Sequence, residues 1–166
     1  MSEHGTTRDA ASRKITIKRS YAATPEEVWE MWTTQEGIEA WWGPEGFRVA
    51  VQQLDLRAGG ELVYDMVASG APQIAFMKNA GMPLSNRCRM TFTEVTPPHR
   101  LAYTHLVDFV PGVAHYNTTH LVELSATASG TQLSLTIDAM HDEAWTERAV
   151  MGWESELEKL RAKLER

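Results

Sequence analysis

The chain has 166 residues, 43% of them hydrophobic and 23% charged, the composition of one globular domain rather than of a fibrous or disordered protein. Sixteen basic residues against twenty-two acidic ones leave a net charge of −6, the wrong sign for gripping phosphate backbones or anionic lipid by bulk electrostatics. One cysteine, Cys88, can form neither an internal disulfide nor a multi-cysteine metal site, so the expected home is a reducing cytoplasm, with no metal and no cofactor.

Residues 1–12 mix Ser, Thr, Gly and charges without periodicity, so residues 1–14 are expected to be a disordered tail and residues 15–166 a single domain. Nowhere does the chain approach the roughly 18 uninterrupted apolar residues of a membrane span. From Ile15 to Tyr21 apolar and polar residues alternate, a strand signal. Thr24-Pro25-Glu26-Glu27 then reads as a capping box with proline in the first turn, and Val28, Trp29 and Trp32 share the buried face of the helix it opens. A second short helix from Glu36 carries Ile38, Trp41 and Trp42 to a break at Gly43-Pro44. Adjacent tryptophans on a helix diverge by about 100°, so one of the two should leave the core for another surface, with Trp42 placed at the rim of a cavity.

Beyond the break the period becomes two. Phe47 to Arg57, Glu61 to Ser69, Arg87 to Val95, Leu101 to Asp108, Tyr116 to Ala128 and Thr131 to Met140 read as strands. Gly70 to Asn86 is longer than a hairpin needs and rich in Gly, Pro, Met and Ala. It is expected to be either a mobile flap, with Phe76 or Met77 covering a cavity mouth, or a strand extension. From Asp142 the period is helical again, Trp145, Ala149, Trp153, Leu157, Leu160 and Leu164 stepping by three or four. The charges from Glu154 to Arg166 are read as the solvated outer face of that helix. The fold class is therefore α+β: a curved antiparallel sheet of about seven strands wrapped around a long C-terminal helix, with two short helices after the first strand. The space between helix and concave face is where function should reside.

No phosphate loop, HExxH, paired CxxC or GxSxG elbow occurs. In the last hairpin, a turn at Ser129-Gly130 sets Val122 beside Ile137 and Leu124 beside Leu135, which puts His120 on the inward face opposite Ala139 and Asp138 on the other. In the preceding hairpin Leu101, Tyr103 and His105 point inward, so His105 and His120 are expected as cross-strand neighbours in the cavity. The remaining wall is assigned to Tyr64, Met66, Met90, Tyr103, Ala149 and Trp153, aromatic and thioether side chains suited to an apolar ligand.

Thr24-Pro25 with Val28-Trp29 and Trp32-Thr33, then Trp41-Trp42-Gly43-Pro44, then Asp55, Arg57 and Gly59-Gly60, then Glu94, Pro97-Pro98, Arg100 and Leu101, and finally Gly152-Trp153 with Leu157 and Leu160, together resemble the bacterial branch of the heat-shock-protein-90 ATPase activator homologues, within the START-like superfamily. The resemblance covers Ile15 to Leu164. It implies a helix-grip fold with a cavity between sheet and C-terminal helix. The eukaryotic activator grips its chaperone with a separate N-terminal domain, which fourteen residues cannot contain, so the expected partner is a small hydrophobic molecule rather than a chaperone. Superfamily relatives bind lipids, hormones or polyketides, and some cyclise or hydrate them. Binding of a small hydrophobic or aromatic ligand is therefore the leading expectation. A metal-free cyclase or hydratase using His105 and His120 stays open beside it, as does a domain that contacts a chaperone or regulatory partner. Assembly is left open between monomer and homodimer.

Overall fold

The computed structural model describes residues 13–165. Most of the expected tail, residues 1–12, lies outside the described residues, and the first strand begins at Lys14. Seven strands, β1 (Lys14–Tyr21), β2 (Phe47–Leu54), β3 (Glu61–Ala68), β4 (Ser85–Thr96), β5 (Arg100–Val107), β6 (Tyr116–Thr127) and β7 (Gly130–Asp138), form one sheet in the order β1-β7-β6-β5-β4-β3-β2. Every neighbouring pair is antiparallel. The strands from β2 to β7 form a simple meander, while β1 pairs at the far edge. The chain therefore crosses the whole sheet between β1 and β2, and the two short helices α1 (Pro25–Thr33) and α2 (Gln35–Trp41) make that crossing. The long helix α4 (Glu143–Leu164) packs across the concave face, completing the α+β helix-grip architecture. Among the described residues no helix is long and apolar enough to cross a membrane.

Local chemistry sets the helix starts. Thr24 Oγ1 accepts the Glu27 N–H while Glu27 Oε1 accepts the Thr24 N–H, a closed capping box ahead of α1. Thr34 caps α2 through the Gly37 N–H, and Asp142 caps α4 through the Trp145 N–H at 2.8 Å. Along β7, Leu133, Leu135 and Ile137 are almost fully buried and face Leu157 and Leu160 of α4 in the same cluster. That alternation fixes which face of the sheet the helix covers. At the far end Tyr21 donates its hydroxyl to the Leu157 carbonyl, tying β1 to α4.

Two sequence expectations change. The segment after β3 is neither a flap nor a strand extension but a helix, α3 (Ala71–Asn79). Pro72 falls in its first turn, where a missing N–H costs no hydrogen bond, so the proline starts the helix instead of preventing it. Met77 is buried beneath α3 and Phe76 points to solvent at 66% exposure. The second change is register. The last hairpin turns at Ala128 and Ser129, which displaces every partner by two: Val122 pairs with Leu135, Leu124 with Leu133 and His120 with Ile137. In the preceding hairpin Tyr103 lies opposite His120 and His105 opposite Thr118, so His105 and His120 are diagonal cross-strand neighbours, their rings 5.9 Å apart. An even displacement leaves each side chain on its expected face, so the two histidines still share the concave side.

Candidate functional site

A cavity of about 330 Å³ lies between the concave face and α4. Its sheet wall carries Tyr64 and Met66 from β3, Met90 from β4, His105 from β5 and His120 from β6. The helix wall carries Trp145, Arg148, Ala149, Gly152, Trp153 and Glu156, two interleaved rows stepping by three or four that form one stripe of α4. Trp42 and Pro44 close one end, and Phe109 of the β5–β6 loop reaches toward Trp145 at 5.9 Å between ring centroids. Tyr103 is not part of this surface. It lies 1% exposed behind the wall, its ring stacked on His120 at 4.9 Å and 11°. Phe76 and Met77 do not line the cavity either.

The tandem tryptophans diverge because α2 ends between them. Trp41 is the last helical residue and is buried against Trp32 at 4.8 Å, its indole N–H donating to the Met31 carbonyl. Trp42 is already extended, at ψ 154°, which turns its ring to the cavity end, edge-on to Tyr64 at 5.5 Å and to Trp153 at 6.2 Å. Both tryptophans are buried, so the second surface that the sequence demands is an internal one. Gly43 follows with φ +93°, a left-handed conformation that a side chain would strain. That turn presents its N–H to Glu156 Oε1 at 2.8 Å and its carbonyl to Lys159 Nζ at 2.7 Å.

Tyr103, His105, His120 and Glu156 sit in or behind a wall that also carries Thr118, Asp138 and Arg148 among its apolar residues. Burial holds the His105 imidazole down at about 4. Burial, reinforced by the neighbouring His105, holds His120 at about 3, the two rings standing 5.9 Å apart. Both are neutral at pH 7. Tyr103 Oη, His105 Nε2 and His120 Nδ1 are buried and find no hydrogen-bond partner among the described residues. Glu156 shows part of its surface to the cavity but is otherwise enclosed by protein, and that burial pushes its carboxyl up to about 7 against the opposing pull of the Gly43 N–H and Lys159. Among the described residues no three His, Cys, Asp or Glu side chains gather as a metal ion would require.

Sequence reasoning placed Trp42, Tyr64, Met66, Met90, His105, His120, Ala149 and Trp153 here, and the fold brings these eight together. It missed Glu156 and Lys159, read as parts of a solvated outer face. The signal was present in the spacing: Glu156 is four residues after Gly152 and seven after Ala149, on the inward stripe. A broader depression beside the cavity, shared by Tyr116, His141 and the start of α4, is open to solvent, and Tyr116 Oη meets His141 Nδ1 there at 2.6 Å.

The model of the family described as "Activator of Hsp90 ATPase homolog 1-like protein" matches residues 22–165. Among solved structures, protein CV1439 from Chromobacterium violaceum is 24% identical, covers 92% of this chain and 97% of its own, and superposes with a TM-score of 0.76. Protein NE0264 from Nitrosomonas europaea is 26% identical over 93% of this chain and 96% of its own, with a TM-score of 0.71. The AHSA1 (SPO3351) protein from Silicibacter pomeroyi is 22% identical over 92% and 97%, also at 0.71. No curated protein matches the chain.

Proposed function

The chain belongs to that family of Hsp90 ATPase activator homologue-like proteins, and from this premise we propose that it binds a small hydrophobic or aromatic molecule in the cavity between sheet and α4. The observation that carries the reading is the wall itself: aromatic and methionine side chains around about 330 Å³, with a few convergent polar groups among them. This is the make-up and the lower end of the size range of ligand pockets. Trp42, Tyr64, Met66, Met90, His105, His120, Ala149 and Trp153 are the proposed contacts. Catalysis by the histidine pair is the weaker reading, because imidazoles at about 4 and about 3 are poor proton acceptors at neutral pH. The single half-buried thiol, Cys88, is in keeping with a cytoplasmic setting.

A panel of hydrophobic and aromatic compounds, followed by thermal unfolding and tryptophan fluorescence, tests the proposal. A ligand at 100 times its Kd stabilises by about 2.7 kcal/mol, which for a chain of this size raises Tm by roughly 5–10 °C. The shift should vanish when Ala149→Trp fills the cavity. A panel without a single shift, or a shift that Ala149→Trp leaves intact, refutes binding at this site.

A further inference from the structure

Asp138, Arg148 and Glu156 are the charged side chains that line this cavity; Glu156 stands on the inward stripe of α4, and its two oxygens have different surroundings. Oε1 is committed to the Gly43 N–H at 2.8 Å. Oε2 accepts no hydrogen bond among the described residues and lies 4.0 Å from where a Cβ on Gly152 would stand. Since Gly152 lines the same cavity, the missing side chain leaves Oε2 facing open space. A carboxylate that lines a largely apolar cavity with one oxygen lacking a protein partner is poorly compensated, and a hydrophobic residue at this position would pack at lower cost.

We infer that the cavity's ligand is an organic cation, an aromatic or alicyclic body bearing a protonated amine that docks against Glu156 Oε2 between Trp42, Tyr64 and Trp153. The inference rests on the proposed binding cavity and names its ligand class. Three features select a cation over a neutral or anionic head. The rings of Trp42, Tyr64 and Trp153 gather edge-to-face at the same end, with centroids 5.5 Å and 6.2 Å from Trp42, and aromatic walls attract ammonium groups. His105 and His120 on the opposite wall are neutral, so they neither repel a cation nor hold an anion. Of the nearby cations, Lys159 Nζ donates to the Gly43 carbonyl, and Arg148, an exposed residue of the cavity lining, holds its guanidinium over the Trp145 ring at 5.1 Å, away from Glu156 by about two turns of α4. An anionic head at the deep end would meet a carboxylate and no free positive charge.

Binding must then depend on pH through Glu156. The groups facing it or lining the same cavity are Lys159 and Arg148 on its own helix, Tyr64 on β3, Tyr103 and His105 on β5, His120 on β6 and Asp138 on β7. The histidines sit at about 4 and about 3, and burial pushes both tyrosines well above their ordinary value. Neither the two histidines nor the two tyrosines titrate between pH 5.5 and 8. An alkylammonium stays protonated throughout that window, so Glu156 alone governs the profile.

Calorimetric titration of the full chain with 2-(1-naphthyl)ethylamine, 2-(1-naphthyl)ethanol and 1-naphthylacetate, matched in body and differing in head charge, decides the matter. At pH 8 the amine should bind at least tenfold more tightly than the alcohol, and the alcohol more tightly than the acid. With Glu156 at about 7, lowering the pH to 5.5 should weaken the amine by about 30-fold and leave the alcohol unchanged. Glu156→Gln keeps an acceptor for the Gly43 N–H. It should remove the preference for the amine while holding the alcohol within about threefold. If that variant does not fold, the wild-type pH profile still decides. Equal affinity for amine and alcohol, a flat amine profile, or an amine preference that survives Glu156→Gln overturns the cation assignment and leaves an apolar binding cavity standing. Binding of none of the three overturns both readings.

Discussion

Lowering the pH from 7 to 5 should pull the stability of this protein in two opposite directions, which single substitutions can separate. His105 and His120 sit at about 4 and about 3 in the folded chain because they are buried, against an ordinary value of 6.5 once unfolded. Between those values the unfolded chain holds more protons, so this contribution to stability is complete above about 6.5 and is lost as the pH falls. At pH 5 an ordinary imidazole is about 97% protonated, so keeping each histidine neutral costs about 2 kcal/mol, or about 4 for the pair. That figure requires only that both folded values lie below 5. Glu156 acts in the reverse sense. Its carboxyl is raised by burial from 4.5 to about 7, so its contribution is complete below about 4.5 and is lost as the pH rises through 7. Going from pH 7 to pH 5 therefore regains about 2 kcal/mol.

The wild-type chain should lose a net of about 2 kcal/mol over that interval. Glu156→Gln, which cannot ionise, should lose about 4 kcal/mol, and His120→Gln should lose almost nothing. Urea unfolding followed by tryptophan fluorescence at pH 7, 6 and 5 gives each value, and the comparison uses slopes with pH, so any offset from the substitution itself drops out. Asp65, Glu94 and Asp138 do not intrude, because their partners hold them below the ordinary carboxylate range. Parallel pH profiles for Glu156→Gln and wild type would refute the buried, cavity-facing carboxylate. A profile for His120→Gln parallel to wild type would refute the neutral buried imidazole.

Two further outcomes follow from the same geometry. Gly152→Leu should leave Tm unchanged or raise it, since leucine is a better helix former by up to about 1 kcal/mol and the nearest atom to its Cβ is Glu156 Oε2 at 4.0 Å; the side chain then fills the cavity, and ligand-induced thermal shifts should disappear. Tyr103→Phe deletes a buried hydroxyl with no partner among the described residues, so the unfolding free energy from urea titration should stay level or rise by up to about 1 kcal/mol, whereas a loss of that size would reveal a hydrogen bond to the hydroxyl.

The fold was legible because its signals are local and redundant. Thr24-Pro25-Glu26-Glu27 announces α1 through chemistry contained in four residues, and the alternation along β7 states which face meets α4. Errors arose where two local rules compete. Pro72, two residues after Gly70, reads as a breaker, yet in a first helical turn it is a starter, and only the burial of Met77 against the body decides between the two. Register slipped by two in the last hairpin because an even slip leaves the buried pattern intact, so the hydrophobic pattern cannot detect it.

The site was legible only in its apolar half, for a related reason. Trp153, Ala149 and Met90 advertise burial by their own hydrophobicity, whereas Glu156 and Lys159 look like every other charge on the outer face of an amphipathic helix. What separates Glu156 from Glu154 and Glu158 is position on the wheel, not chemistry: it stands four residues beyond a glycine that opens the wall and next to a turn, at Gly43, that bonds to it from across the fold. A charged residue on the inward stripe of a cavity helix, preceded by glycine at i−4, thus carries more information than the charge run around it. Periodicity had already assigned that stripe to the core, and the carboxylate breaks the rule at the one place where the enclosing wall leaves room for a partner.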